Sequence, residues 1–287
     1  MVQILKKRRD IFMKWFKTVA LSAVLMGLFI GNSIASEIVA SADVANAPIV
    51  VGLGIAMVPD YVGSDDYRVA PLPFLKYTFG QSQRYVKLAG ADLSVNLLNH
   101  QNFQLGPLLR YYSPRGDKVK DDVVEKMDKV DGGFAAGGFL TFELKGDEPR
   151  NRINFTLKFV ADLSDSYDGY LMDFDVTLWR KVAERWDVFV GAGTTYADND
   201  YMDTYFSVNG GNRGAAPVVE LPNYSADSGI RDVRAQGGAI WHFSKNWLFG
   251  GLIRAQRLLG DADDSPIVDR RGDSNQLSIA LFAGYKF

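Results

Sequence analysis

The sequence contains no cysteine and only two histidines, His100 and His242, among its 287 residues. Disulfide bonds and thiolate metal sites are therefore excluded. Carboxylates and two isolated imidazoles are a poor ligand set for zinc, copper or nickel, so we expect no metal site and no other cofactor.

Long apolar runs are absent beyond residue 35. The run from Thr18 to Ile34 follows a basic leader and ends with small residues at Ser33 and Ala35. This order is typical of a secretory signal peptide, and we predict cleavage after Ala35. A second small-x-small pattern at Ala45–Ala47 leaves the cleavage position open by about a dozen residues. A membrane-anchoring helix is the alternative, since about 17 residues is close to the minimum for spanning a bilayer.

Positive charge is also scarce once the leader is removed. Residues 1–35 hold six of the 32 basic residues and one of the 34 acidic ones, so the remainder has a net charge of −7. A nucleic-acid partner requires basic patches that neutralise phosphates. We therefore expect no nucleic acid among the partners of this protein.

What the chain does contain is a long series of alternating segments. Apolar residues occupy every second position in each, opposite polar or small ones, and the segments run to about 10–14 residues, longer than most strands of soluble proteins. One oily face and one polar face per strand indicate an all-β fold, a transmembrane antiparallel β-barrel. Aromatic residues at strand ends are assigned to the interfacial girdles, namely Trp179, Trp186, Trp241, Trp247 and Tyr285.

Connection lengths predict the strand number and the sidedness. Dividing residues 83–98 into two short strands near Gly90 gives about twelve strands, with ten or a fused pair as the alternative. Every long connection then lies at the extracellular end and every short turn at the periplasmic end, as in bacterial barrels. The predicted organisation is a signal peptide over 1–35, a periplasmic N-terminal segment over 36–47 and the barrel over 48–287.

The last strand carries a local signal of its own. Phe287 is terminal, Tyr285 lies two positions before it, and apolar residues continue on alternate positions. This pattern is typical of the C-terminal signal by which bacterial outer-membrane barrels are recognised for assembly. It predicts an encounter with the barrel-assembly machinery and a location in the outer membrane, in contact with lipid and lipopolysaccharide.

Six charged residues alternate to the polar, lumen-facing side of the predicted strands. They could remain hydrated along a pore, or pair with one another across a filled lumen. Twelve strands enclose a space between the filled and the open cases, so strand number leaves both alternatives open. The six residues are Arg110, Lys158, Asp173, Asp175, Arg234 and Arg254.

Several strings resemble the MltA-interacting protein (MipA/OmpV) family over nearly all of the chain beyond the leader. The longest is the most specific, since a loop of its length and order is improbable by chance. The strings are PDYVGSDDYRVAPLP at 59–73, LGPLLRY at 105–111, VDGGFAAGGF at 130–139, YMDTYF at 201–206, LPNYSADSGIRDV at 221–233 and RLLGDADDSPIVDRRGDSNQ at 257–276.

The resemblance implies an outer-membrane barrel. For one member of the family it also implies a scaffold that bridges a lytic transglycosylase and a bifunctional murein synthase. Other members are associated with adhesion, with osmotic or antibiotic responses, or with immunogenicity. The family has no catalytic residue that could be carried over to this sequence, and a shared fold does not by itself assign an activity.

Residues suited to catalysis or ligand binding have simpler interpretations. A hydrolase would need a nucleophile beside a histidine, whereas His100 falls in a predicted turn and His242 near the periplasmic rim. The acidic residues of 198–203 and 261–269 could hold calcium, but they lack the calcium-loop spacing. Two Arg-Gly-Asp triplets, at 115–117 and 271–273, suggest adhesion, yet such triplets are also ordinary turn composition.

Two hypotheses follow, and no enzyme is expected. The first is a non-enzymatic scaffold or surface-interaction protein that links murein-remodelling enzymes to the outer membrane. Its periplasmic surface would be small, since the turns are short, and would comprise 36–48 and the turn at 145–151. The second is a small-solute channel similar to a porin. The loop at 198–229 is long enough to fold into the barrel mouth.

Overall fold

A computed structural model describes residues 47–116, 118–208 and 221–287. The predicted signal peptide, its cleavage after Ala35 and nearly all of the N-terminal segment lie outside the described residues. Part of the long 198–229 connection also lies outside them. The proposed boundaries at the N-terminus therefore stay predictions.

The described residues form a closed antiparallel barrel in which each strand pairs with its neighbours in the sequence. This confirms the predicted fold, the number of twelve strands and the division at Gly90. The strands are β1 Ile49–Pro59, β2 Tyr67–Thr78, β3 Tyr85–Ala89, β4 Asp92–Asn96, β5 Phe103–Tyr112, β6 Gly133–Lys145, β7 Arg152–Asp162, β8 Tyr170–Ala183, β9 Trp186–Ala197, β10 Gly229–His242, β11 Trp247–Leu258 and β12 Asn275–Lys286.

The last strand closes the barrel against the first, as their matching alternation predicts. Leu53 lies opposite Ala283, and Ile55 lies opposite Leu281. Because this pairing leaves neither β1 nor β12 as an edge, the backbone groups of both strands find partners within the wall. Closure is what makes such a sheet compatible with hydrocarbon, where water cannot replace a missing partner.

The outward face of the wall is apolar and the inward face is mixed. Leu53, Val190 and Leu281 are about 60% exposed, at 62%, 58% and 61%, whereas their neighbours in sequence point inward. Trp186 and Trp241 stack outside the wall, with ring centroids 6.0 Å apart, near the short-turn end. An apolar outer band with aromatic residues at its margin is the surface of a membrane-spanning barrel.

One girdle assignment is wrong. Trp179 is fully buried inside the barrel, where its ring lies 4.6 Å from that of Phe189 and beneath the Arg152 guanidinium. Trp179 has the same strand parity as Asp173, so its side chain points to the lumen. Its position at a strand end is less informative than its parity.

The two ends of the barrel differ in the length of their connections. Turns at 79–84, 97–102, 146–151, 184–185 and 243–246 occupy one end, called here the short-turn end. Connections at 60–66, 113–132, 163–169, 198–228 and 259–274 occupy the other, the long-loop end. Gly90 and Ala91 join β3 to β4 on the side of the long-loop end, and Gly90 has φ +60°, a conformation that favours glycine.

The long loops contain short helices that the sequence analysis did not predict. Helix α1 spans Asn199–Phe206 and helix α2 spans Pro266–Asp269. Asp198 caps α1, because its carboxylate accepts a hydrogen bond from the Tyr201 amide at 3.1 Å. Within the described ranges, no helix has the length and apolar character needed to cross a membrane.

We predict that two cysteines introduced at opposed positions of β1 and β12, where the barrel closes, will form a disulfide. The natural chain has no cysteine, so Leu53→Cys with Ala283→Cys introduces one pair at positions that lie directly opposite. Opposed residues of antiparallel strands have Cα atoms about 4.5–5.5 Å apart, within the range of a disulfide. Oxidation should give a covalently closed barrel with altered electrophoretic mobility.

The matched control is Leu53→Cys with Ala280→Cys. It places the second thiol on β12, three residues before Ala283 and on the inward face of the barrel. Efficient crosslinking of this control, with none in the first pair, would contradict the register.

Candidate functional site: the barrel interior

A layer of buried ion pairs crosses the barrel interior. Arg110 on β5 donates to both oxygens of Asp92 on β4, at 2.7 and 3.1 Å. A third nitrogen of the same guanidinium lies 2.8 Å from an Asp173 oxygen on β8. Lys158 on β7 completes the group, with its Nζ atom 3.0 Å from Asp92. All four side chains are nearly inaccessible, so each charge depends on the others for its stabilisation.

A second group of ion pairs continues this layer on β8, β9 and β10. Arg234 donates to Asp175 at 2.9 and 2.7 Å and lies 3.2 Å from Asp232. The Thr195 hydroxyl joins the two groups, because it accepts from Arg234 at 2.7 Å and donates to Asp173 at 2.8 Å. The result is a continuous network that joins residues of six strands, β4, β5, β7, β8, β9 and β10.

The six predicted lumen-facing charges are all placed inside the barrel. Five of them belong to the ion-pair layer, while Arg254 on β11 donates from two nitrogens to the Gln236 amide oxygen, at 2.9 and 2.6 Å. The structure therefore brings together Arg110, Lys158, Asp173, Asp175 and Arg234, with Arg254 beside them.

Sequence reasoning missed two acids of this layer that alternation could have found. Asp92 shares its strand face with Ser94 and Asn96, and Asp232 lies two residues before Arg234 in the same register. The residue that alternation could not find is Arg231, which is buried next to Asp232 because a β-bulge between Ile230 and Asp232 shifts the register.

An apolar cluster fills the lumen between this layer and the short-turn end. The Phe74 and Phe282 rings meet edge to face at 5.8 Å. Gly284 provides the space for this packing, since a Cβ atom there would lie 2.8 Å from the Phe74 ring and 2.9 Å from Leu248. The other large members of the cluster are Leu72, Trp179, Phe189, Ile240 and Leu252.

Cavities lined by the described residues lie on each side of the ion-pair layer. The outer cavity lies toward the long-loop end and encloses roughly 900 Å³, including space open to solvent; Arg110 and Asp173 form part of its lining. The inner cavity, of roughly 860 Å³ by the same measure, is lined by Asp92, Lys158 and Asp175 among others. The layer of ion pairs therefore separates two spaces that an open pore would connect.

Helix α1 covers the mouth of the barrel at the long-loop end. Its Tyr201, Met202, Tyr205 and Phe206 side chains are buried. Ser265, in the loop between β11 and β12, holds the helix in place by donating from its hydroxyl to the Phe206 carbonyl at 2.6 Å. The first part of the 198–229 connection thus folds over the mouth; residues 209–220 lie outside the described ranges.

The Arg-Gly-Asp triplets do not present their arginines for adhesion. Arg115 is buried and donates to the Tyr205 and Thr204 carbonyls at 2.6 and 3.2 Å, and burial lowers the pKa of its guanidinium. Arg271 lies 2.9 Å from Asp121 and also pairs with Asp122. Asp117 lies outside the described residues. These contacts are internal to the loops and argue against an integrin-type motif.

The acidic loop residues also have internal roles. Asp198 caps α1, Asp261 accepts from the Asp227 amide at 2.6 Å, and Asp263 lies 3.5 Å from Arg257. Burial and the nearby Asp261 carboxylate raise the pKa of Tyr224 to about 12. Across the ranges that the structure describes, no group of three His, Cys, Asp or Glu side chains is arranged to hold a metal.

The two histidines are engaged in structural contacts. His242 is buried near the short-turn end, where its Nε2 lies 2.7 Å from Asp187 and its Nδ1 lies 3.5 Å from the Lys286 ammonium. Asp187 also pairs with Arg150 at 3.1 Å. His100 accepts two backbone hydrogen bonds in its turn through Nδ1, at 3.1 and 3.2 Å. Both ring nitrogens of His242 thus lie beside charged side chains, whereas a serine hydrolase needs one of them beside a hydroxyl nucleophile.

A closed antiparallel wall, an apolar outer band and a charged interior define a barrel of the outer-membrane class. The profile of the family described as MltA-interacting protein MipA matches residues 51–287. The chain belongs to the MltA-interacting protein family. Among curated proteins, none matches the chain significantly.

Solved structures with a similar fold include two bacterial barrels. The translocator domain of the autotransporter NalP from Neisseria meningitidis has 10% identity and a TM-score of 0.39, with 83% of this chain and 88% of that chain covered. A Pseudomonas aeruginosa FadL homologue has 10% identity and a TM-score of 0.44, with 91% and 96% covered. Likeness at this level carries no functional information.

We predict that Arg110→Ala will destabilise the barrel by about 3 kcal/mol, because it leaves Asp92 and Asp173 buried without their shared cation. The measurement is urea-induced unfolding of the refolded protein in lipid vesicles. Arg180→Ala is the matched control, since Arg180 is exposed on β8 and should change stability by less than about 0.5 kcal/mol. Equal stability of the two variants would show that the buried layer is not stabilised by Arg110.

Proposed function

We propose that this protein is a non-enzymatic scaffold of the outer membrane that links murein-remodelling enzymes to the barrel wall. The closed interior is the observation that carries this proposal. The ion-pair layer, the apolar cluster and helix α1 obstruct the lumen at three levels. A barrel with an obstructed lumen acts through the surfaces at its two ends, and these become the candidate interaction sites.

The outer membrane is the location that the surface chemistry supports. The wall presents apolar side chains to its surroundings and pairs its strands into a closed cylinder. In bacterial barrels the short turns face the periplasm, so we assign the short-turn end to the side of the cell wall. The C-terminal residues Tyr285 and Phe287 lie at this end, as expected for a signal read by the assembly machinery.

The short-turn end offers a rigid polar surface to a partner. Arg150 fixes the 146–151 turn, because its guanidinium contacts Asp187 at 3.1 Å and the Glu184 carbonyl at 3.1 Å. Lys181 lies 3.3 Å from Glu148 and 2.9 Å from Glu184. A rim whose charges are already held in position loses little entropy on binding, which favours recognition even over a small area.

The partner class is supported by the family. Its description names an interaction with MltA, and we transfer to this chain only the chemical class, a murein-cleaving lytic transglycosylase with or without a murein synthase. The absence of catalysis is supported by the contacts of both histidines, which use ring nitrogens for structural hydrogen bonds.

The alternative is a small-solute channel, and the two cavities favour it. Both have polar linings, and they are separated by side chains only. Conduction would require the Arg110 and Asp173 pair to separate. This rearrangement would expose two buried charges to a partly hydrated lumen and is costly in the closed state.

We predict that charge reversal at the short-turn end will weaken partner binding. Asp147 is exposed in the 146–151 turn, and Asp131 is exposed at the opposite end of the barrel. Asp147→Lys should reduce the recovery of a lytic transglycosylase after crosslinking in intact cells severalfold, since rim charges steer association. Asp131→Lys is the matched control. No recovery from the unmodified protein would refute the scaffold, whereas equal recovery of both variants would exclude this turn.

We predict no stable conductance steps from the unmodified protein in planar lipid bilayers. Among the described residues, the ion-pair layer and the apolar cluster occupy the lumen, so an ion would have to cross a desolvated segment. Reproducible single-channel steps from the purified full-length protein would contradict this prediction and favour the channel.

A further inference from the structure

One section of the barrel wall is formed by strands that are much shorter than the others. Strands β3 and β4 have five residues each, whereas β2 has twelve and β5 has ten. Five residues span about 16 Å along a strand, or roughly 12 Å across the membrane at a tilt near 40°, against an apolar band of about 25 Å. The β3–β4 hairpin therefore leaves Tyr67–Pro73 of β2 without a neighbour on this side. On the other side the hairpin reaches Arg110 of β5, two residues before that strand ends at Tyr112. We call the remaining gap between β2 and β5 the notch.

The edge of β2 that borders the notch is adapted to its lack of a strand partner. Strand β3 pairs only with Phe74–Thr78, so Tyr67–Pro73 pairs with β1 alone. The Pro73 carbonyl accepts from the Gly90 amide at 2.9 Å on the β3 side. Residues of the same parity therefore direct their backbone groups toward the notch. Two of them, Pro71 and Pro73, have no N–H group that could be left without a partner in lipid.

Two further observations show that the edge is open to its surroundings and yet ordered. Val69 is 71% exposed, more than any other large hydrophobic side chain among the described residues. At the upper corner of the notch, the Lys120 ammonium donates to the Tyr67 carbonyl at 2.6 Å, and the Lys120 amide donates to Asp60 at 2.9 Å. The loop that carries Lys120 thus provides a hydrogen-bond donor to the exposed edge at its end nearest the long loops.

The outer cavity lies directly behind the notch. Arg68 from the β2 edge and Tyr112, Ser113 and Pro114 from the opposite edge all belong to its lining. Among the described residues, the ion-pair layer lies beneath this cavity, and helix α1 with the packed long loops lies above it. We infer an approach to the cavity from the side, from the part of the membrane nearer the long-loop end.

The cavity contains cationic groups with unused hydrogen-bond donors. The Nε atoms of Arg68 and Arg115 are buried, and neither has a hydrogen-bond partner among the described residues. Arg110, Arg231 and Arg234 in the same lining are paired with aspartates, whereas no carboxylate of the described chain lies within ion-pair distance of Arg68 or Arg115. The cavity lining also includes the aromatic rings of Tyr61, Tyr112 and Tyr205. A buried donor without an acceptor is costly and favours a ligand that provides one.

We propose that the notch is a lateral portal and that the outer cavity binds a single-chain anionic amphiphile taken from the membrane. The headgroup, a carboxylate or a phosphate, would accept hydrogen bonds from the terminal nitrogens of Arg68, a geometry to which guanidinium groups are well suited. The buried Arg115 guanidinium would add positive charge nearby. The acyl chain would lie in the notch against Val69 and Pro71. This ligand site is additional to the scaffold role and does not depend on it.

The test uses the full-length protein in nanodiscs of neutral phospholipid, with 11-(dansylamino)undecanoate as the fluorescent anionic probe. We expect saturable binding that laurate and lauryl phosphate displace and that lauryl alcohol, with the same chain and no anionic group, does not. Stronger displacement by one of the two anions identifies the headgroup class. Displacement by lauryl alcohol as effective as that by laurate would refute the anionic site.

Two substitutions separate the headgroup site from the portal. Arg68→Gln should weaken probe binding about tenfold, against no change for Arg180→Gln, an exposed arginine outside the cavity. Val69→Cys carrying a bulky maleimide adduct should abolish binding, whereas Val190→Cys with the same adduct should not, because Val190 is also exposed on the outer face but lies on β9, away from the notch. Heat-modifiable electrophoretic mobility confirms that every variant is folded. Unchanged binding in Arg68→Gln would refute the anion site, and unchanged binding in the labelled Val69→Cys variant would refute the portal.

Discussion

In hydrocarbon, every backbone N–H and C=O must find a partner inside the protein, because no water is available to replace one. The pairing of β1 with β12 satisfies this requirement where the first strand meets the last, and the edge of β2 beside the notch is an exception. It also determines the inward or outward direction of every side chain, since a change of register by one residue would exchange the two faces. The register in which the barrel closes therefore determines which side chains form the ion-pair layer, the apolar cluster and the outer band.

The charged side chains of the interior form ion pairs with one another and do not line a water-filled path. Arg110 makes contacts with two aspartates, and Thr195 connects those contacts to Arg234. Below this layer, Phe74, Trp179 and Phe282 fill space that a pore would leave to water. The same twelve strands could surround an open lumen, so the choice of inward side chains, and not strand number, closes this barrel.

Alternation in the sequence predicted the strands and the lumen-facing positions of Arg110 and Lys158, because period two is a direct consequence of strand geometry. The lengths of the connections predicted the number of strands. Alternation failed where local geometry departs from this period. Arg231 lies at a bulge that no pattern in the chain indicates, and it is buried next to Asp232. Helix α1 was missed because eight residues give too short a signal, and its burial depends on packing against the loops and the barrel mouth. Trp179 was misassigned because strand-end position was given more weight than parity.

The two prolines of β2, Pro71 and Pro73, are explained by the position of the turn at Gly90. Prolines within an alternating segment normally argue against a central strand, and Gly90 taken alone indicates only a turn. The structure places the turn beside Pro73, so the strand that carries both prolines has a neighbour along its lower half only. The prolines are tolerated because the hairpin is short. A hairpin of full height would need N–H donors at both positions, so the notch is encoded in the chain and is not an accident of loop length.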